Sequence, residues 1–82
     1  MNDLARSPRH IGTIIRRKRK KLGLSQSELG AKAGLRQETI SLIETGNPAA
    51  RLDTILAVLA ALDLEFLIGP RTRGGTVEEL LG

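Results

Sequence analysis

The stretch LGLSQSELGAKAGLRQETISLIETG, residues 22–46, decides the fold of this chain. Ser25 and Glu28 form an S-x-x-E pattern, the capping box that begins a helix. This helix is predicted to end at Gly34, because glycine readily adopts the left-handed backbone of a helix terminus. Gly30 lies inside the helix, where it costs about 0.5–1 kcal/mol relative to alanine. It predicts a close approach of the next helix, the alternative being a position that simply faces solvent.

A second helix is predicted for residues 36–44, RQETISLIE. Ile40 and Ile43 have the i, i+3 spacing of an inward helical face. The turn cluster TGNP, residues 45–48, ends this helix. Two helices joined by a tight turn at Gly34 predict a helix-turn-helix unit.

Upstream of this unit, a basic helix is predicted for residues 10–22, and its apolar positions have helical spacing: Ile11, Ile14 and Ile15. Residues 16–21, RRKRKK, are consecutive cations that wrap around the whole helix, so some of them lie near the apolar stripe. Residues 1–9 contain a proline and little periodicity, which predicts a flexible N-terminal arm.

Downstream, a fourth helix is predicted for residues 51–62, with a broad apolar face of Leu52, Ile55, Leu56, Leu59 and Leu62. Residues 64–68, LEFLI, concentrate β-favouring residues before a Gly-Pro pair and predict a short strand. No other segment offers this strand a partner, so residues 64–70 are predicted to pair with a second copy about a two-fold axis. The dimer contacts would be Leu64, Phe66, Leu67 and Ile68. The alternative is a frayed continuation of the fourth helix, and residues 71–82 are predicted to be a flexible tail.

The composition excludes several classes of function. The 82 residues allow one small domain. The chain has no cysteine and one histidine, too few ligands for a zinc site, and its glycines lack the lysine of a phosphate-binding loop. We therefore predict no enzymatic activity, no metal and no cofactor. No apolar run reaches the roughly 18 residues of a membrane span, and no signal peptide is apparent, which predicts a cytoplasmic protein.

The charge is unevenly distributed along the chain. Residues 1–51 contain 11 Lys and Arg against 4 Asp and Glu, whereas residues 52–82 contain 2 against 5. A basic front half predicts a polyanionic partner. Phe66 is the only aromatic residue, and readers of single strands and RNA stack bases on aromatic rings. Double-stranded DNA is therefore favoured. A basic amphipathic membrane binder would explain the cationic run and nothing else.

Residues 22–46 resemble the Xre/Cro family of phage-repressor-like DNA-binding domains. The resemblance is carried by Leu-Gly-Leu-Ser-Gln at residues 22–26, Glu-Leu at 28–29, Gly34, Ile-Ser at 40–41 and Ile-Glu-x-Gly at 43–46. It implies an all-α fold, a lambda-repressor-like bundle of four to five helices over residues 10–63. It also implies a prokaryotic regulator at the nucleoid.

A narrower resemblance extends over residues 10–70. The segments LDTIL, residues 52–56, and LDLEFLI, residues 62–68, look like the HipB-type antitoxins. In that family a strand after the last helix pairs between protomers, and the dimer binds a HipA-type serine/threonine kinase toxin. This resemblance implies an autorepressor that is also an antitoxin. The alternative is a stand-alone phage-type or restriction-control regulator without a toxin partner.

The family's motif assigns base contacts in the major groove to residues at the start of the second motif helix: Arg36, Gln37, Glu38 and Ser41. Arg36 can pair with guanine and Gln37 with adenine, although Arg36 could instead touch only phosphate. Glu38 is a departure from the family. A carboxylate there repels phosphates unless it accepts from a cytosine amino group or pairs with Arg36.

The resemblance also implies contacts that position the domain on DNA. Phosphate contacts are assigned to Ser25, Gln26, Thr39, Asn47 and Arg51, with Thr39 alternatively facing solvent. By family analogy Arg19 forms a structural ion pair with Glu44, the alternative being that Arg19 binds phosphate.

Overall fold

A computed structural model describes residues 3–71, which form four α-helices and, within that range, no β-strand. The helices are α1 (Pro8–Lys21), α2 (Gln26–Ala33), α3 (Gln37–Glu44) and α4 (Leu52–Ala61). Helix α3 packs against α1 and α2, and α2 also packs against α4. The prediction of an all-α fold is confirmed. The predicted tail from residue 72 onward, and the first two residues of the predicted arm, lie outside the described residues.

Helix α1 begins earlier than the sequence predicted. The Ser7 hydroxyl accepts a hydrogen bond from the backbone N–H of His10 at 3.1 Å, which caps the helix. Pro8 occupies the first helical position, where a missing N–H costs nothing. The helix therefore includes residues 8 and 9, which were predicted to belong to the arm. The prediction placed the start too late because it did not consider Ser7 as a helix cap.

The capping box at the start of α2 is complete. The backbone N–H of Glu28 donates to Ser25 Oγ at 3.0 Å, and the backbone N–H of Ser25 donates to Glu28 Oε1 at 2.9 Å. Gly34 ends α2 with φ of 72°, a left-handed conformation that favours glycine. The N–H of Leu35 then donates to the Gly30 carbonyl at 2.8 Å. These local bonds turn the chain into α3 and form the predicted helix-turn-helix.

Two helical glycines let backbones approach closely. A Cβ atom on Gly30 would lie 2.7 Å from the Leu35 carbonyl oxygen, in the turn before α3. This favours the packing role predicted for Gly30 over a solvent-facing position. A Cβ on Gly12 would lie 2.7 Å from the Glu44 carbonyl oxygen. Gly12 therefore sets the distance between α1 and the end of α3.

The hydrophobic core is drawn from all four helices and consists of Ile15, Leu29, Ile40, Ile43, Val58, Leu59 and Leu62. In α1 the buried stripe is Gly12, Ile15 and Arg19, one position round the helix from the stripe predicted by the isoleucines. Helix α4 divides its predicted apolar face. Leu59 and Leu62 are buried, but Leu52 and Leu56 are 64% and 46% exposed, so only part of the predicted apolar face packs in the core. Val58, which was not on the predicted apolar face, is fully buried in the core.

The segment after α4 is only partly attached to the core. Leu64 packs against the core, and its N–H donates to the Leu59 carbonyl at 2.8 Å. Asp63, with φ of 59°, turns the chain out of the helix, so residues 64–71 do not continue α4. These residues have no regular secondary structure in the single chain. Pairing with a second copy stays a prediction.

Candidate nucleic-acid interface

The outward face of α3 is determined by helical geometry. Successive residues turn by about 100°, so the side that carries Gln37, Glu38, Ser41 and Leu42 lies opposite Ile40 and Ile43. The two isoleucines are buried. Gln37 and Glu38 are exposed, and Ser41 is half-buried. The core thus holds one side of α3 and leaves the other side exposed to solvent.

A shallow groove lies between α3 and the beginning of α2, and is called the α2–α3 groove below. It is lined by Gln26, Gln37, Glu38, Ser41 and Leu42. Three of the four residues predicted to contact bases therefore lie beside Gln26, one of the five residues predicted to contact phosphate. Arg36 is exposed at the N-cap position of α3. Within residues 3–71 it forms no ion pair with Glu38.

A buried polar cluster joins α1, α2 and α3 behind this groove. Arg19 Nε donates to Glu44 Oε2 at 2.6 Å, and Arg19 Nη2 donates to Glu44 Oε1 at 3.0 Å. Gln26 Nε2 donates to the same Oε1 at 3.2 Å, and Arg19 Nη1 donates to the Leu24 carbonyl at 2.8 Å. The side chains of Arg19 and Glu44 are only 9% and 3% exposed. We call Arg19, Glu44 and Gln26 the buried polar cluster.

The buried polar cluster stabilises the charged form of Arg19 and fixes the orientation of the Gln26 side-chain amide. The hydrogen bond to Glu44, opposed by burial and helped by the carboxylate charge, raises the pKa of Arg19 above its ordinary value. A carboxylate accepts hydrogen bonds and cannot donate them, so the amide nitrogen of Gln26 must face Glu44. The second amide hydrogen and the amide oxygen of Gln26 stay available to a ligand in the α2–α3 groove.

Among the other residues predicted to contact phosphate, Thr39, Asn47 and Arg51 share a second depression with Leu42 at its border. Asn47 Oδ1 accepts from the Ala49 N–H at 2.8 Å. Arg51 Nη2 lies 3.2 Å from Asp53 Oδ2. Ser25 differs from these three, because its hydroxyl is used to cap α2. The predicted phosphate residues therefore lie at two places beside α3, one at the start of α2 and the other in the second depression.

In the cationic run of α1, one residue is buried and most of the others are exposed to solvent. Arg19 is buried, Lys18 is half-buried, and Arg16, Arg17, Lys20 and Lys21 are exposed. Arg17 Nη2 makes an exposed ion pair with Asp3 Oδ1 at 3.2 Å. Most of the run thus forms a solvated positive surface.

Sequence reasoning missed Leu42 and Gly12. Leu42 lies one turn after Glu38, and this i, i+4 spacing could have placed it on the outward face. Gly12 precedes Ile15 by three residues and Arg19 by seven. This helical spacing could have predicted that the three residues share the buried face of α1. The bond between Gln26 and Glu44 had no local signal, because 18 residues separate the two side chains.

Residues 15–68, well over half of the chain, match the family described as Helix-turn-helix. This chain belongs to the Xre/Cro-type helix-turn-helix family. This chain matches two curated relatives that are named as HTH-type transcriptional regulators, and it spans 40% of the length of the first of them. It is 35% identical to the HTH-type transcriptional regulator y4dL of Sinorhizobium fredii over 78 residues, which cover 95% of this chain and 40% of that relative. It is 37% identical to y4mF of the same organism over 57 residues, 70% of this chain and 75% of that relative.

Solved structures with the same fold include several complexes of HipB. A chain of a HipB–O4 20mer complex superposes with a TM-score of 0.80 and 28% identity, covering 87% of this chain and all of that one. A chain of a HipA–HipB–O2–O3 complex has a TM-score of 0.78 and 30% identity over the same shares. A chain of a HipB variant in complex with an O2 20mer reaches 0.81 at 26% identity, covering 88% of this chain and all of that one. This chain is therefore similar in fold to HipB.

Two other features are absent from residues 3–71. No helix there is long and apolar enough to cross a bilayer. No group of three or more His, Cys, Asp or Glu side chains in that range is arranged to hold a metal ion.

Proposed function

We propose that this regulator binds operator DNA by inserting α3 into the major groove and represses its own promoter in the prokaryotic cytoplasm. Arg36, Gln37, Glu38 and Ser41 would read base edges. The observation that carries this proposal is the α2–α3 groove, where exposed polar side chains of α3 lie beside Gln26, which is held by a buried carboxylate. The planar guanidinium of Arg36 can donate two hydrogen bonds to guanine, and the planar amide of Gln37 can both donate to adenine and accept from it.

The phosphate contacts would come from Ser25, Gln26, Thr39, Asn47 and Arg51. Gln26 supports this role best, because its amide keeps one hydrogen free while the other is held by Glu44. Arg51 would exchange its exposed partner Asp53 for phosphate, since an ion pair in water is worth about 0–1 kcal/mol. Ser25 would contribute through the capped end of α2, whose N-terminus favours anions.

The direct test is affinity for the DNA upstream of the chain's own gene against a scrambled duplex of equal length. We expect wild-type protein to prefer the upstream DNA, and Gln37→Ala to lose part of that preference. Lys20→Ala, an exposed cation of α1, is the matched control and should weaken binding to both duplexes equally. Equal affinity of the wild-type protein for both duplexes would rule out sequence-specific repression.

We propose that the operator-binding form is a homodimer paired through residues 64–70. Three apolar side chains of this segment, Phe66, Leu67 and Ile68, are 39%, 66% and 100% exposed in the single chain. A second copy would cover them and pair the free backbone groups of the segment. A dimer also doubles the number of base contacts, over half-sites about 34–36 Å apart.

The dimer proposal can be tested without disturbing the fold, because Ile68 contributes nothing to the core of its own chain. Ile68→Lys should leave the melting temperature at high dilution unchanged, shift sedimentation equilibrium toward monomer and reduce operator affinity. Leu4→Lys, which also replaces an exposed apolar residue, is the control and should stay dimeric. An Ile68→Lys protein that is dimeric with full affinity would contradict the proposal. Deletion of residues 64–70 removes Leu64 as well and should in addition lower stability.

The likeness to HipB supports a further proposal, that the dimer is the antitoxin of a HipA-like serine/threonine kinase toxin. A matching solved structure contains both HipA and HipB. Co-expression with the adjacent gene product, followed by co-purification and a kinase assay with and without this chain, tests it. We expect a stable complex and suppressed kinase activity.

A second candidate is a stand-alone regulator without a toxin partner. It is favoured by the curated relatives, which are named as transcriptional regulators. Failure of the adjacent gene product to co-purify, together with specific binding to the upstream DNA, would support this candidate over the antitoxin.

A further inference from the structure

We infer that Leu42 is a specificity-determining residue that recognises the methyl group of a thymine in the operator. This inference deepens the proposed function and rests on it, since it assumes that α3 enters the major groove. It adds an apolar contact to the readout by Arg36, Gln37, Glu38 and Ser41.

Leu42 differs from the other apolar residues of α3 in its exposure. The neighbouring apolar residues of α3, Ile40 and Ile43, are 0% and 3% exposed, whereas Leu42 is 52% exposed. Leu42 lines the α2–α3 groove together with Gln37, Glu38 and Ser41. It also borders the second depression, beside Thr39 and Arg51. An apolar side chain therefore lies between the residues proposed to read bases and the phosphate contacts proposed in the second depression.

The chemistry of the major groove limits what Leu42 can recognise there. Base edges present hydrogen-bond donors and acceptors, and the C5-methyl group of thymine is the apolar group among them. A leucine next to any other base edge would remove water from polar atoms without replacing their hydrogen bonds. Next to thymine, both apolar surfaces leave water together. The contact thus favours thymine over cytosine at one position in each half-site.

Uracil tests this contact, because it lacks only the methyl group. A random duplex library is first enriched with the full-length wild-type protein. In the best site, each thymine is then replaced by uracil in both half-sites, and affinities are measured for wild type and Leu42→Ala. We expect one position where uracil weakens wild-type binding by about fourfold per half-site, the effect of one methyl-sized apolar group. At that position Leu42→Ala should bind thymine and uracil equally.

Two control variants separate this effect from general damage. Leu52→Ala truncates another exposed leucine, on α4 outside the groove, and should keep the wild-type ratio of thymine to uracil affinity. Leu42→Met preserves an apolar side chain of similar size and should keep most of that ratio. Because Leu42 is half-exposed, thermal unfolding of Leu42→Ala should follow that of the wild type closely.

Three results would overturn the inference. If no thymine is sensitive to uracil, or if Leu42→Ala retains the wild-type ratio at every position, Leu42 contacts no methyl group. A changed oligomeric state with an unchanged ratio would assign Leu42 to a surface between copies. If the library yields no enriched sequence at all, the proposed function itself fails. Enrichment without a Leu42 effect overturns the methyl contact alone.

Discussion

Arg17 and Arg19 lie two residues apart on α1, and each forms an ion pair with a carboxylate. Arg17 meets Asp3 at 3.2 Å with side chains 64% and 56% exposed. Arg19 meets Glu44 through two hydrogen bonds, and these side chains are 9% and 3% exposed. Arg51 and Asp53 form a second exposed pair. The same pair of charged groups is thus buried in the case of Arg19 and Glu44 and exposed in the other two cases.

The difference shows that environment, and not residue type, determines what an ion pair does here. An exposed pair gains little, because water screens both charges. A buried pair has lost its water, so each partner depends on the other. Glu44 also accepts from Gln26, which couples the buried pair to the proposed DNA surface. The buried polar cluster should therefore control both folding and recognition, while the exposed pairs should contribute little to folding.

The largest effect should come from removing one partner of the buried pair. Glu44→Ala leaves the Arg19 guanidinium buried without its carboxylate, and should lower the free energy of unfolding by about 3–5 kcal/mol. Urea denaturation measures it. The double variant Arg19→Leu, Glu44→Leu buries no charge and should be more stable than Glu44→Ala. If the double variant were the less stable of the two, burial would not explain the difference.

A smaller effect is expected for Gln26, at the edge of the cluster. Gln26→Ala removes one of the three hydrogen bonds to Glu44 and should cost about 1 kcal/mol of stability, with a larger loss in DNA affinity. Gln37→Ala is the matched control. It truncates an exposed glutamine of the same groove, so stability should be unchanged while sequence preference is altered. Equal unfolding curves for the two variants would mean that Gln26 is not held by Glu44.

The exposed pairs should show smaller effects still. Arg17→Ala and Arg51→Ala should each change the free energy of unfolding by about 0–1 kcal/mol. Arg51→Ala should also lower the slope of log affinity against log salt by about one unit if Arg51 holds a phosphate. Binding titrations at four salt concentrations measure that slope. If either variant lost as much free energy of unfolding as Glu44→Ala, exposed and buried ion pairs would not differ in their contribution to stability.

The smallest effect should come from a fully exposed carboxylate. Hydrogen bonds from the backbone and the side chain of Ser25 lower the pKa of Glu28 below its ordinary value. Its stabilising contribution is therefore present above the unfolded-state pKa and is lost as pH falls through the lower folded-state pKa. We expect Glu28→Gln to be slightly less stable than wild type at neutral pH, with the difference vanishing in acid. If the stability difference between Glu28→Gln and wild type grew in acid, it would contradict a lowered pKa of Glu28 in the folded protein.

The sequence was most informative where local chemistry decides the structure. The capping box of Ser25 and Glu28, the turn at Gly34 and the inward pair Ile40 and Ile43 all involve residues within one or two turns of each other. Their physical causes are hydrogen bonds and backbone preferences that act over that distance. The family resemblance added the pairing of Arg19 with Glu44, which the structure brings together, although no local pattern indicates it.

The sequence was less informative where one helix meets another. All apolar positions of α4 looked alike, yet Leu59 is buried and Leu52 is 64% exposed. Which of them faces the core depends on where α2 lies. Gly12 was overlooked for the same reason, because its role depends on the end of α3. Leu42 was overlooked because apolar residues are ordinarily assigned to the core, and the core side of α3 is already filled by Ile40 and Ile43.

The sequence by itself therefore determined the helices, the helix-turn-helix and the family, because caps, turns and helical periodicity act between near neighbours in the chain. Only the tertiary structure decided that Arg19 is buried while Arg17 is not, that Gln26 is tied to Glu44, and that Leu42 faces outward. Each of these depends on side chains brought together by packing from distant parts of the chain. Burial removes water from some of those groups and leaves it on others, and no local pattern specifies which.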